Sequence, residues 1–184
     1  GDSPLSDIKS LSAWRSVFRQ FGTEPTKYRS APEALLRRLT KKGDIPLINT
    51  LVDIGNLISI RYALPVAIFD TRQIQGTLTV RVADGSERYT LLGDTEEKHP
   101  YEGEVIFTDD TGVVMARRWC WRQSEESAAQ LGTENVIITI EAQHAEGEAD
   151  IRAALIDLQG LLAEFAGGNW AAGVLGGANS SFSD

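Results

Sequence analysis

The chain has 184 residues, of which 42% are hydrophobic and 24% charged, with one cysteine and a formal net charge of -8. That length buries a core without staples, a single cysteine excludes an internal disulfide, and no apolar run approaches the roughly 20 residues that span a bilayer. With no basic and apolar leader at its start, the expectation is a soluble, cytoplasmic protein; the acidic balance argues against a general nucleic-acid coat, so neither DNA nor a membrane is an expected partner. The first residue is glycine rather than methionine, which leaves the natural N-terminus open.

From residue 6 to 21, Ile8, Leu11, Trp14, Val17, Phe18 and Phe21 recur at spacings of three and four, which predicts an amphipathic helix that Gly22 ends. "SAPE" starts a second helix, with Ser30 as cap and Glu33 reaching back in a capping box, and Gly43 closes it. Its apolar stripe is Leu35, Leu36 and Leu39. "PLINTLVDIGNLISI" predicts a third helix that buries Leu47, Leu51, Ile54 or Leu57, and Ile58, with Gly55 allowing a close approach.

After Pro65 the period changes to two. "PVAIFD", "GTLTVRV", "ERYTLL", "GEVIFTD", "VVMARRWCW" and "NVIITIEAQ" read as six strands separated by turns such as "ADGS" and "DDTG". Ile151, Leu155, Leu158, Leu162 and Phe165 return to helical spacing, and the Gly-, Ala- and Ser-rich stretch that follows reads as a flexible tail. Helices first, strands together and a helix last predict an α+β fold around one mixed or antiparallel sheet. The domain runs from 1 to 166, with helices over 6–59, the sheet over 65–143 and the last helix over 148–166; the tail is 167–184.

Several chemistries drop out. The phosphate loop G-x-x-x-x-G-K-[ST], a G-x-G-x-x-G turn, H-E-x-x-H and G-x-S-x-G do not occur. Two histidines and one cysteine do not make a metal site, and neither metal nor cofactor is expected. Against the acidic background, Lys27, Arg29, Arg37, Arg38, Lys41 and Lys42 face only Glu33 within their segment, either as a solvated helix face or as an RNA footprint.

"MARRWCWRQ" places two tryptophans, three arginines and Cys120 together. Strand alternation would put Arg118, Cys120 and Arg122 on one face and Arg117, Trp119 and Trp121 on the other. Cys120 has no base tied to it in sequence and reads as a packing residue rather than a nucleophile. Asp53, Asp70, Glu104 and Glu141 each lie in or beside apolar segments, where a carboxylate needs a partner, and the arginines of "RRW" are natural ones. Asn49, Asn56 and Ser59 add polar groups in the third helix, able to orient a small ligand or to satisfy neighbouring backbone.

"YRSAPEALLRR", "IPLINTLVDIGNLISIRYALP", "LPVAIFD", "GEVIFTD", "RRWCWR" and "TENVIITIEA" together resemble the B3/B4 domain of the phenylalanyl-tRNA synthetase beta subunit, and most closely its free-standing relatives, from about Trp14 to Leu162. The resemblance implies strands in a partly open barrel or sandwich flanked by helices, with an aminoacyl-sized pocket. In the synthetase that pocket receives the tRNA 3′ end and hydrolyses a wrongly attached tyrosine through a positioned water and hydrogen bonds. A carboxylate there accepts a hydrogen bond from the phenol, and by position it is Glu141. Ala67 stands where the synthetase usually has a histidine, and "ARRWCWR" replaces its glycine-rich wall.

The expected pocket residues are therefore Glu141, Arg118, Asp70, Asn56, Glu104, Trp119, Trp121 and Cys120, with tRNA or aminoacyl-tRNA as partner and a small amino acid as a further ligand. Two functions follow: trans-editing of mischarged aminoacyl-tRNA by ester hydrolysis, or a non-catalytic module that keeps the fold and binds an amino acid or a protein. Ligase activity is not expected, since aminoacylation needs a separate ATP-binding domain.

Overall fold

The computed structural model describes residues 4–183. A short 3-10 turn at Leu5–Asp7 leads into helix α1 (Lys9–Gln20), whose Leu11, Trp14 and Phe18 are buried at the spacing that marked them. Gly22 follows in the left-handed region that ends it. Helix α2 (Ala31–Lys42) stops at Gly43, which takes φ 75°. Helix α3 (Thr50–Tyr62) is capped by Asn49, whose side chain accepts from Val52 N at 3.0 Å. Ile54, Gly55, Ile58 and Ser59 form its buried face.

Two local expectations fail for identifiable reasons. The Ser30 side chain makes no cap bond: its oxygen is buried without a partner, Pro32 has no N–H to offer at the second helical position, and Glu33 is drawn to arginines rather than back to Ser30. Leu47 lies before α3 and is 87% exposed, and Leu57 also faces out, so the apolar stripe of α3 rests on Ile54 and Ile58.

The chain then forms β1 (Val66–Asp70), β2 (Thr79–Val82), β3 (Tyr89–Thr90), β4 (Glu97–Lys98), β5 (Val105–Thr108), β6 (Val114–Arg117), β7 (Arg122–Gln123) and β8 (Val136–Ile140), and ends in helix α4 (Gly147–Phe165). All the named ladders are antiparallel, but they form three sheets rather than one: β1–β8, β2–β5–β6–β7 and β3–β4. The fold is α+β, four helices with antiparallel sheets that do not close into a barrel. Among the described residues no helix is long and apolar enough to cross a membrane.

Period-two alternation in β1 explains the layering. Val66 packs toward α3 and α4 with Ile54, Ile58, Leu64, Leu158 and Leu162, while Ala67 and Phe69 face Phe107, Met115 and Ala116 of the second sheet. The antiparallel β1–β8 pair is thus a middle layer. On α3, a Cβ built at Gly55 would stand 2.8 Å from Ile68 Cδ1 and 3.6 Å from Val66 Cγ1, so the helix sits close only because that side chain is absent.

The expected long strand through "VVMARRWCW" breaks after four residues. Arg118 and Trp119 take φ 44° and 62°, and Trp121 N bonds Arg117 O at 3.2 Å, so the chain turns back into β7. The two-face alternation read from the sequence therefore does not hold beyond Arg117.

The close approach at Gly55 generates a test. Gly55→Val should lower unfolding free energy by about 1–3 kcal/mol through overpacking against Val66 and Ile68, and Gly55→Ala by less. The shift in urea midpoint at unchanged slope measures both.

Candidate functional site

The site is built around the turn Arg118–Trp121. Its anchor is Glu104, which is buried and lies just before β5. Arg117 donates to both Glu104 oxygens, through Nε to Oε1 at 2.7 Å and through Nη2 to Oε2, and Nη1 donates to the Tyr89 hydroxyl. The Arg118 backbone N–H also donates to Glu104 Oε1, at 3.0 Å. A carboxylate out of water needs such full pairing, and a forked guanidinium supplies two parallel bonds. Trp119 N adds a bond to Val105 O at 2.7 Å. Five donors from three successive residues thus hold a left-handed pair of non-glycine residues, a conformation that costs about 1–3 kcal/mol per residue and persists only when its surroundings over-determine it.

The turn sends its side chains to opposite places. Trp119 points inward: its ring meets Trp14 of α1 edge-on at 5.2 Å, and it packs on the cluster of Phe69, Met115, Ala116 and Ala67. Its Nε1–H donates to Glu141 Oε1 at 2.7 Å. Burial pushes the Glu141 carboxyl up to about 7, partly offset by that indole bond. Cys120 lies beside it; burial and then the Glu141 charge raise the thiol well above its ordinary value, so it is no thiolate nucleophile.

Arg118 and Trp121 point the other way. The Arg118 guanidinium lies 3.7 Å from the Tyr28 ring centroid, 4.8 Å from Trp121 and 5.7 Å from Tyr101. Tyr28 and Trp121 meet edge-on at 5.0 Å, and Arg122 caps Trp121 at 5.1 Å.

Of the expected pocket residues, the structure joins Glu141, Trp119 and Cys120 on one side of the turn and Glu104, Arg118 and Trp121 on the other. Asp70 is at neither place. In the β1–β8 ladder it pairs with Val136, five residues from Glu141 or about 16 Å along the strand. There it accepts from Arg72 and Thr133 rather than from the "RRW" arginines, and those bonds outweigh burial to hold its carboxyl below the ordinary value. Asn56 is half-buried on α3, and Asp53 accepts from Ile48 N at 2.9 Å. Two shallow cavities, of about 670 and 320 Å³, lie elsewhere, between α1 and the loop into α4 around Lys9, His144 and Glu146. Trp119 occupies the space beside Glu141.

The basic residues divide along α2. Glu33 is buried and collects Arg15 at 2.7 Å, Arg37 at 3.0 Å and Arg29 at 3.9 Å. Arg38 pairs Asp44 at 3.1 Å, and Lys27 lies over the Tyr28 ring. Lys41 and Lys42 have no carboxylate partner among the described residues and sit at the last turn of α2, about 18 Å from its start. Among the described residues no three His, Cys, Asp or Glu side chains converge as a metal site requires.

Sequence reasoning missed Tyr28, Tyr101 and Trp14. Tyr28 stood between two noted cations, but nothing local shows that the segment before α2 folds against the 118–121 turn. Tyr101 sits in a loop without periodicity.

Comparison with known proteins places this geometry in context. The family model described as "B3/4 domain" matches residues 13–153. The chain is 27% identical over 110 residues to the phenylalanine–tRNA ligase beta subunit of Photorhabdus laumondii subsp. laumondii, covering 60% of this chain and 14% of that protein. It is 40% identical over 84 residues to the corresponding subunit of Bradyrhizobium diazoefficiens, covering 45% and 10%. It therefore spans a small part of these relatives. A crystal structure of an N-terminal fragment of the phenylalanyl-tRNA synthetase beta-subunit from Pyrococcus horikoshii superposes with a TM-score of 0.50 at 17% identity, over 62% of this chain and 39% of that one, a likeness of fold.

Two measurements test the site. The Glu141 carboxyl binds its proton more tightly in the folded chain than its ordinary 4.5 allows, so this contribution to stability is full below about pH 4.5 and is lost as pH rises through 7. The expected loss is at most about 3 kcal/mol between pH 4.5 and 8, and Glu141→Gln should remove that part of the decline in urea titrations. Glu104→Ala leaves Arg117 uncompensated in the interior and should cost about 3–5 kcal/mol in the same assay.

Proposed function

This chain belongs to the B3/4 domain family, and on that premise we propose that it is an RNA-binding module for tRNA or aminoacyl-tRNA whose aminoacyl site is closed by its own Trp119. The relatives named as phenylalanine–tRNA ligase beta subunits supply the RNA class. The observation that carries the rest is the 2.7 Å bond from Trp119 Nε1 to Glu141. In the resembling synthetase domain the carboxylate at this position tests an aromatic amino acid by accepting its phenolic O–H. Here an indole N–H from the same chain makes that bond while the ring fills the adjoining apolar space against Ala67 and Ala116. A side chain of this chain thus stands where the aminoacyl group would go, which favours binding without turnover.

Phosphate contacts come from the cations around α2. Lys41 and Lys42, free of carboxylate partners among the described residues, and Lys27 are the best placed, while Arg29 and Arg37 share the buried Glu33 and Arg38 pairs with Asp44.

A second reading, deacylation of mischarged aminoacyl-tRNA, is favoured by the position of Glu141 near 7, where a carboxylate can take a proton from an attacking water at neutral pH. The ester carbon would accept the water oxygen, the bond to the ribose oxygen would break, and the proton would return to that oxygen. This requires Trp119 to leave.

Filter binding and a deacylation panel separate the two. The expected result is saturable tRNA binding that falls by about tenfold in the double variant Lys41→Gln, Lys42→Gln at low salt, with every aminoacyl ester in the panel left intact. Trp119→Ala, which vacates the site, should bind an aromatic amino-acid amide that the parent chain ignores. Turnover by the parent chain that disappears in Glu141→Gln would overturn the closed-site reading, and failure to bind any tRNA would overturn the module itself.

A further inference from the structure

The outward face of the turn carries a group whose side-chain hydrogen-bond donors neither the fold nor the Glu141 site uses. Arg118 has a side chain only 6% exposed, yet among the described residues its guanidinium donates no hydrogen bond to the protein. The nearest carboxylate oxygen, Glu104 Oε2, lies 3.8 Å away and is already held by Arg117. Two guanidiniums against one carboxylate leave a positive charge beneath the surface. A buried polar group without a partner is costly, and Arg118 has five N–H donors to offer. Unlike Arg29 Nε and Arg38 Nε, its nitrogens are not sealed from solvent.

Around that tip stand three aromatic rings. Tyr28 and Trp121 are half-buried and edge-on to each other, and Tyr101 is 71% exposed. Arg122 and Lys27 lie at the rim, over Trp121 and Tyr28. The chemistry that answers both halves is a flat π system joined to an anion: the rings stack a planar group, and the donors of Arg118 meet phosphate oxygens.

We propose that Tyr28, Tyr101, Trp121 and Arg118 form a socket for one nucleotide of single-stranded RNA, with the base on Tyr101 and Trp121 and its phosphate on Arg118, supported by Arg122. The proposal rests on the RNA-binding reading above and gives it a contact point apart from Glu141. An acidic peptide would satisfy the cations but leave the rings without a stacking partner.

Tryptophan fluorescence of the full chain, titrated with oligoadenylate, AMP, adenosine, inorganic phosphate and polyglutamate, tests it. Oligoadenylate and AMP should quench saturably, and adenosine and inorganic phosphate should each bind at least about tenfold more weakly than AMP, because each lacks one half of the match. Tyr101→Ala, at an exposed position that leaves the core untouched, should weaken oligoadenylate by about tenfold. Arg118→Gln should weaken AMP more than it weakens adenosine; should that variant not fold, Arg122→Gln makes the same comparison. Unchanged oligoadenylate binding in Tyr101→Ala, or polyglutamate binding as tightly as oligoadenylate, overturns the socket. If tRNA still binds through Lys41 and Lys42 while Tyr101→Ala has no effect, the socket falls alone; if neither tRNA nor oligoadenylate binds, both readings fall.

Discussion

Glu104 is the constraint on which the functional face depends. Its carboxylate is shut away from water, and charge of that kind survives in a protein interior only when its oxygens are matched by donors. Arg117 matches both oxygens from the end of β6, and the next residue is pulled in by its backbone N–H. Two successive non-glycine residues are thereby held in left-handed backbone, and the strand stops where its hydrophobic pattern would have continued. Everything chemically distinctive about the chain hangs from that stop: Trp119 goes in, Arg118 and Trp121 go out, and the Cys120 carbonyl becomes the cap for α2.

This arrangement shows how a turn beside one sheet sets the surroundings of a carboxylate that follows a strand of another. The layers of helices, the β1–β8 pair and a second sheet place Glu141 just after the end of β8. What that carboxylate meets is decided by a loop residue from another sheet. An indole from Trp119 gives it a donor, and burial raises its proton affinity by more than that bond lowers it.

Much of the fold was legible in the sequence. Helices α1, α2 and α4 follow from apolar residues at three- and four-residue spacing and from glycines able to adopt the left-handed C-terminal conformation, and β1, β5 and β8 follow from β-branched runs. The need of Glu104 for an arginine partner was also legible, since a carboxylate next to "VIF" has nowhere else to discharge. The Ser30 box misled because local patterns cannot register competition: Glu33 is held by three guanidiniums, one of them from α1, instead of reaching back to Ser30.

The sequence by itself determined the α+β class, the order of the helices and the strand region, and the resemblance to the B3/B4 module. Only the tertiary structure decided which side chains meet. Asp70 and Glu141 share one strand pair yet face different partners at its two ends, while Tyr28, Tyr101 and Trp121, scattered over more than ninety positions, surround one guanidinium. Periodicity reports which face of an element is apolar, a property of neighbours in the chain. Ion pairing and aromatic packing depend on distances between elements, and those are set when the buried charge of Glu104 finds its donors.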